Sequence, residues 1–408
     1  MLKFLKTAVF ICSIILLLIA LKPAFSLEDG RIGVIYIGCI ARSPPFRNMR
    51  SDPLFSMSFV QATLRDWAGM PVEDVHRLVR MYMPRTVSAL SESYDVIVIA
   101  NANLLAVGPH VEKLARGVED EGMGLLMSGG WESFGGTGTA EPAWGETAIG
   151  KLLPTNDVVG IWDESGRLVI DKPDHELLSS IPWNLKDPDL ANPIRWHHNP
   201  VTLKPGAEQL AHVVNKFGVK HPLMVTWERG MGQRVFALTS EIHALCWYGS
   251  PWEYCVDFGG NLVIYVDCRP VPQDFVLLHA VRSKMSEIDT RRSLLLSLLD
   301  FCESFGANTD RMLRKCAEID GEIAKCVPQY LDLKLEETLD SYQVVEEMLL
   351  EAEDEAVSLK NRTLFWIYTI EWLAVTGVLM FSSFILWTTM IRRRLYRDVK
   401  TTRFDDPS

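Results

Sequence analysis

The chain carries no basic excess: Lys and Arg number 41 against 52 Asp and Glu, a formal net charge of −11. It offers no broad basic surface to hold a phosphate backbone, so nucleic acid is not an expected partner. The eight cysteines form no C-x-x-C pair and follow no regular spacing, and a disulfide pattern cannot be read from them. No repeat of the kind that builds solenoids is present. Extremes of composition are missing as well: 48% hydrophobic and 23% charged residues exclude a disordered or fibrous chain. The length of 408 residues suits roughly two domains. Long apolar runs are confined to the two ends.

At the start, Lys3 and Lys6 precede an uncharged stretch from Thr7 to Leu21 and then Ala24-Phe25-Ser26. That is the three-part pattern of a secretory signal over residues 1–26, with an uncleaved anchor as the alternative, and either one exports the domain behind it. At the other end, Leu364 to Ile391 includes twenty consecutive uncharged residues from Trp372 onward, enough to cross a hydrocarbon core of ~30 Å. Arg392, Arg393, Arg394 and Arg397 come immediately after. The arginine-rich tail, residues 392–408, is expected to stay in the cytoplasm, which makes the chain a single-pass type I protein of the cell membrane with its main domain outside. Removing Cys12 with the signal leaves seven extracytoplasmic cysteines, an odd number that keeps at least one thiol free or paired between chains.

Between the ends, Ile32 to Ile37 reads as a strand and Leu54 to Trp67 as a helix-like stretch. Val75 to Val79 reads as a second strand, Val96 to Ala100 as a strand buried on both faces, Val111 to Glu121 as a helix and Gly124 to Ser128 as a strand. Strands separated by helical segments point to a parallel, three-layer α/β sheet. Ile161 to Ile170 has the look of a hairpin around Glu164-Ser165-Gly166, and Leu223 to Trp227 with Val235 to Thr239 forms a strand pair around Arg229-Gly230-Met231-Gly232. From Pro272 the pattern is one of long helices, with corners at Gly306-Ala307-Asn308 and at Pro328. In the last of them Leu335, Leu339, Tyr342, Val345, Leu349, Ala352, Ala356 and Leu359 recur at spacings of three and four. That apolar stripe needs a partner, so residues 272–362 read as a helical, coiled-coil-like hairpin or stalk leading to a transmembrane helix at 364–391.

In an open α/β sheet ligands bind beyond the carboxyl ends of the strands. That rule nominates Cys39 and Arg42, Asn101 and Asn103, the stretch Gly129 to Gly136, and Glu241 and His243. The segment Gly129-Gly130-Trp131-Glu132-Ser133-Phe134-Gly135-Gly136 resembles a group within the class I glutamine amidotransferase-like superfamily, whose members carry a Gly-Gly-x-x-Ser-Phe-Gly-Gly stretch at this turn. The blocks Asn199 to Ala207 and Gly230 to Ser240 are similar to later blocks of the same group. The resemblance covers residues 31–269 and implies a flavodoxin-like parallel sheet. It also implies a turn on which a cysteine thiolate attacks, backbone N–H groups receive the oxyanion, and a histidine and a glutamate activate the thiol.

Trp131 stands where that cysteine falls, and no residue from Gly124 to Gly136 is a cysteine. His243 and Glu241 come after the expected strand, so the charge-handling partners persist without their nucleophile. Ser133 misses the G-x-S-x-G elbow because position 131 is Trp where Gly is required. Three weaker alternatives are a thiol–histidine pair of Cys246 with His243, metal binding by His197-His198, and an anion nest built on Gly129, Gly130, Gly135 and Gly136.

The expectation is a membrane-anchored, exported glutamine amidotransferase-like domain without glutaminase activity, acting as a ligand-binding, sensing or assembly module. Its ligand site comprises Asn101, Asn103, Gly129, Gly130, Trp131, Glu132, Ser133, Glu241 and His243. The alternative is a hydrolase or amidase using Ser133, Glu132, Glu241 and His243 in the same pocket. No cofactor and no metal is expected. The expected partners are the membrane, a small-molecule ligand, and a membrane protein or a second copy of the chain meeting the stalk helices.

Overall fold

The structure is a computed structural model that describes residues 30–400 apart from 43, 65–68, 138–142, 161, 164–165, 184–192, 195–196, 231 and 244–251. The signal segment, Cys246 and the end of the tail lie outside the described residues. The chain divides into two compact units, one of residues 1–286 with 326–340 and the other of 287–325 with 341–408.

The first unit is built on a nine-stranded sheet: β1 (Ile32–Gly38), β2 (Phe55–Gln61), β3 (Val96–Ala100), β4 (Gly124–Ser128), β5 (Gly166–Ile170), β6 (Pro193–Ile194), β7 (Glu208–Asn215), β8 (Lys220–Arg229) and β9 (Gln233–Leu238). Their order across the sheet is β2-β1-β3-β4-β9-β8-β7-β5-β6. The pairs from β2 to β9 are parallel. Those from β9 to β6 are antiparallel. The sheet is thus parallel in one half only. β1, β3 and β4 are buried at every position, as continuous Val/Ile/Leu runs covered by helices on both faces must be. On one face α1 (Val72–Tyr82), α2 (Val87–Ser93) and α3 (His110–Glu119) pack Val75, Val79, Leu90, Leu114 and Val118 against Ile35, Ile37, Ile99 and Met127. On the other face α4 (Cys255–Val266) sets Tyr265 edge-on to Phe236 at 6.2 Å.

Four expectations require correction. Leu54 to Trp67 contains the strand β2, because Phe55-Ser56-Met57-Ser58-Phe59 alternates with period two and pairs in register with β1. Val75 to Val79 is not a strand but part of α1, where Val72, Val75 and Val79 share a face and Glu73 and Asp74 suit the positive helix start. Ile161 to Ile170 is not a hairpin: β5 pairs with β7, while Trp162–Asp163 pairs with His197–His198. Pro328 makes no corner, since it lies inside α6 (Asp310–Leu331) and the turn comes at Leu333, whose φ is 57°.

The second unit gathers most of α5 (Phe275–Ser304), α6 and α7 (Leu335–Lys400). Tyr342, Val345, Leu349, Ala352 and Ala356 are buried, so the stripe along α7 has its partner within the chain. Several acids outside the stripe are paired: Glu353 binds Arg291 through both oxygens at 2.9 and 2.8 Å, and Glu355 binds Lys315 at 2.6 Å. Beyond Leu364 α7 is long and apolar enough to cross a membrane. There Thr369, Thr376, Thr388 and Thr389 return their hydroxyls to carbonyls one turn back, at 2.7 to 2.8 Å, which satisfies them without water.

Within the first unit, Arg282 at the start of α5 is buried among Asp52, Asp257, Asn261 and Tyr330. Its Nε donates to Asp52 Oδ2 at 3.0 Å, and its Nη1 to Asn261 Oδ1 at 3.1 Å and Asp257 Oδ1 at 3.3 Å. Tyr330 Oη donates to the same Asp52 oxygen at 2.8 Å. Gly260 leaves room for the guanidinium, since a Cβ there would lie 2.8 Å from Nη2. Burial pushes the Asp52 carboxyl up and the Arg282 charge pulls it back down. Arg282→Met should cost about 3–5 kcal/mol, because it strands two buried carboxylates. Asp52→Asn combined with Arg282→Met should cost less than the sum of the single changes. Urea unfolding of the wild type and the three variants in detergent measures both; additive costs would mean that the groups act independently.

Candidate functional site

The carboxyl ends of β1 to β4 and β9 meet at the glycine-rich turn that succeeds β4. Gly129 passes so close to the end of β9 that a Cβ would sit 2.4 Å from the Thr239 carbonyl oxygen. Gly130 has φ at 140°, and a Cβ on it would lie 2.7 Å from Asn101 Cγ. Neither position admits a side chain.

Asn101 is the centre of the arrangement. It comes directly after β3 with φ at 51°, a left-handed conformation that asparagine tolerates better than most residues. Its backbone N–H donates to Ser133 Oγ at 2.9 Å, its Oδ1 accepts from Glu132 N at 3.0 Å, and its Nδ2 donates to Glu241 Oε1 at 3.2 Å. Glu241 in turn pairs its other oxygen with His243 Nε2 at 3.1 Å. One amide side chain thus connects the β4 turn to the segment after β9.

Glu132 is buried and accepts from three residues on two segments. Asn103 Nδ2 donates at 2.7 Å, Leu64 N lies 3.2 Å from each carboxylate oxygen, and the Thr63 hydroxyl donates to Oε2. Asn103 also caps the short helix Leu104–Val107 through Oδ1 to Leu105 N at 2.9 Å. Trp144 closes the turn from the other side, its Nε1 donating to the Glu132 and Ala102 carbonyls at 3.0 and 3.1 Å.

The structure therefore joins Asn101, Asn103, Gly130, Glu132, Ser133, Glu241 and His243 into one connected cluster, with Gly129 held to Leu238 and Ser240 carbonyls at 2.7 and 3.0 Å. Trp131 lies half-buried on the same turn. Cys39 is buried, its backbone N–H bound to Ala100 O at 3.0 Å. The side chain of Arg42, the side chain of His197 and all of Cys246 lie outside the described residues. Among the described residues no group of three or more His, Cys, Asp or Glu is placed to hold a metal ion.

Three residues or groups escape a reading of the sequence alone. Asn199 clamps the turn, its Oδ1 accepting from Gly130 N at 2.8 Å and its Nδ2 donating to the Gly130 and Ser133 carbonyls at 3.0 Å each. The one signal that touches it is the family resemblance of the block it opens. Thr63 sits at the carboxyl end of a strand that the sequence presents as helix. The Arg282 cluster borders a cavity of about 250 Å3 lined by Asn48, Ser51, Glu253, Asp257 and His279, and no local spacing announces it. There Asp257 binds His279 Nδ1 at 2.6 Å, and that hydrogen bond holds the imidazole pKa above its ordinary value.

The donors decide the chemistry open to this arrangement. Gly129 N, Gly130 N and Glu132 N, the amides an oxyanion or phosphate nest would need, each bind a protein oxygen. The Ser133 oxygen receives a backbone N–H and is fully buried. Positive φ falls at Gly130 and Phe134 and not at Trp131, so the strained elbow that projects a nucleophile is not formed at position 131. The turn is tied into a hydrogen-bonded cluster with Trp131 at its margin. No protein-family model matches the chain, and no curated protein matches it.

Gly130→Val should destabilise the chain by roughly 3 kcal/mol, since it combines a strained φ with a collision against Asn101. A wild-type urea midpoint for that variant would contradict the close approach. A second expectation concerns Asp157, beside the end of the glycine turn, whose carboxyl is pushed up to about 6 by burial against the smaller pull of the Gly145 amide and the Lys204 charge. The folded carboxyl keeps its proton to about pH 6 while the unfolded one loses it near 3.8, so its stabilising contribution is complete below the lower value and lost as pH rises through the upper. Asp157→Asn should flatten that fall and stabilise the chain near pH 7 by on the order of 2 kcal/mol. Urea midpoints taken across this range for both proteins decide it; parallel pH profiles would exclude the effect.

Proposed function

We propose that the chain is a membrane-anchored, exported domain of the glutamine amidotransferase-like kind that has lost its glutaminase nucleophile and works as a binding, sensing or assembly module. The observation that carries this reading is the state of the turn after β4. Trp131 stands in the nucleophile's place, and the surrounding amides are satisfied by Asn101, Asn199 and the ends of β9. Acyl transfer requires an attacking atom and open N–H donors where negative charge develops. Here both roles are filled by groups that hold the turn together.

The Glu241–His243 pair fits the same reading, because a buried carboxylate requires donors whether or not it serves catalysis. Asn101 donates to one of its oxygens, and His243 Nε2 lies 3.1 Å from the other. Cys255 is disulfide-bonded, which suits an oxidising compartment. The arginines after Ile391 support a cytoplasmic position for that end of α7 by charge bias. Ligand selectivity then rests on the margin of the cluster, where Trp131 and the segments after β1 and β3 meet solvent.

Glutaminase activity is the discriminating measurement. Full-length protein in detergent, given glutamine, should release no ammonia above a heat-treated control and form no covalent acyl adduct, and Ser133→Ala should leave that result unchanged. Ammonia release abolished by Ser133→Ala or His243→Ala would replace the proposal with a hydrolase built on this turn.

A further inference from the structure

The second unit carries two exposed aromatic rings whose height along α7 can be fixed. α5 and α6 form a hairpin whose turn, from Phe305 to Thr309, is set by Gly306 at φ 80° and by Asn308 Oδ1 accepting from Asp310 N at 3.0 Å. Just past the turn, Arg311 Nη2 lies 3.2 Å from Glu355 Oε1 of α7, and Lys315 binds the same carboxylate. The turn therefore lies beyond Glu355, on the side of α7 that leads to the apolar span. Burial along α7 says how far: Ala356 is fully covered and Thr363 is still only 6% exposed, whereas Phe365, Trp366, Tyr368 and Ile370 are all more than half exposed. The hairpin thus ends level with Thr363. Three residues further on is Trp366, about 5 Å along the helix.

On the outside of that hairpin end, Phe301 and Phe305 are 39% and 53% exposed, with their rings 5.0 Å apart. Phe301 lies in the last turn of α5 and Phe305 directly follows its end, and the ring contact makes them one patch. The exposed Trp366 and Tyr368 form an aromatic belt of the kind found at membrane interfaces, and two adjoining exposed phenylalanines one helical turn from it meet the boundary between headgroups and acyl chains, which takes up such rings. Lys360 and Arg362 come just before Thr363 on α7, where long cationic side chains reach phosphate while their stems stay apolar.

We propose that the α5–α6 turn is a second membrane contact: Phe301 and Phe305 enter the interfacial layer of the bilayer that α7 crosses. This rests on reading α7 as a span. The occupant of the patch is lipid and not a second copy of the chain, because the patch is two rings wide and lies at the height of the belt. Anchoring at two points would suppress rotation and tilt of the unit about the single helix, which one span alone permits.

The test uses the full chain in phosphatidylcholine nanodiscs, with a benzophenone amino acid replacing one residue at a time at Phe301, Phe305, Trp366 or Val344. Val344 is exposed on the same helix, nineteen positions before Thr363 or roughly 28 Å away. After illumination, mass spectrometry should find lipid adducts at 301 and 305 in yields like that at 366, with background only at 344. Lipid adducts at 366 without any at 301 or 305 would overturn the interfacial contact while leaving the span intact. Adducts of 301 or 305 with another copy of the chain in place of lipid would overturn it in favour of association. Absence of lipid adducts at 366 would overturn the span itself, and this inference with it.

Discussion

Polar groups at the carboxyl edge of a sheet buried on both faces have lost water and must find one another, and this constraint organises the whole candidate site. Five strands and a crossing loop end there with amides, carboxylates and hydroxyls that cannot all point outward. Asn101 resolves the conflict by taking a left-handed backbone conformation, which turns its side chain across the gap between β3 and β4 and toward the segment after β9. The strain is offset by three hydrogen bonds made in a medium where each unmade one is costly. Gly129 and Gly130 are consequences of that choice, since the space their side chains would need is already taken by Thr239, Asn199 and Asn101.

The turn after β4 holds its Gly129, Gly130 and Glu132 amides in bonds to protein oxygens. In an acyl-transfer site the backbone donors of the elbow are held open for charge that forms only in the transition state. Here the same donors bind Asn199 Oδ1, Asn101 Oδ1 and the carbonyls after β9, which are always present. Stability and turnover make opposite demands on these amides. The turn in this chain answers the first.

Legibility in the sequence tracks burial. β1, β3 and β4 are readable because two-sided burial writes an uninterrupted apolar run, and α3 because one-sided burial writes a repeat of three and four. β2 and α1 are exchanged for want of such clear signals: β2 runs at the sheet edge with its middle half-covered, and α1 contributes only two fully buried valines. That exchange has a consequence at the site, because Thr63 becomes visible as a strand-end donor to Glu132 only once β2 is known to be a strand. Asn101, Asn103, Glu132, Glu241 and His243 are nominated by the strand-end rule alone, and they do assemble. Asn199 is not, since its position depends on how the chain returns across the turn, and the Arg282 cluster draws on residues up to 278 positions apart that no local pattern links. The reversal of the sheet after β9 is likewise hidden, because β8 and β9 look the same in sequence whether their other neighbours run parallel or not.

α7 runs without a break from a part covered by protein into a part long and apolar enough to cross a membrane, and its side chains explain how a single helix of 66 residues can do so. In the first part an apolar stripe is covered by α5 and α6 while acids on the flanks meet Arg291 and Lys315. In the apolar part lateral partners are replaced by the helix itself: threonine hydroxyls bind carbonyls of their own turn, and every backbone N–H already has its acceptor. The change between these regimes comes between Thr363 and Phe365, where burial by protein stops and exposed aromatics begin. A kink or loop at that point would leave N–H and C=O groups unsatisfied where water is scarce, whereas continuing the helix costs only nucleation already met in the covered part. Continuity of the hydrogen-bond ladder is therefore what a passage into lipid would demand, and the paired stretch before it supplies the rigid start.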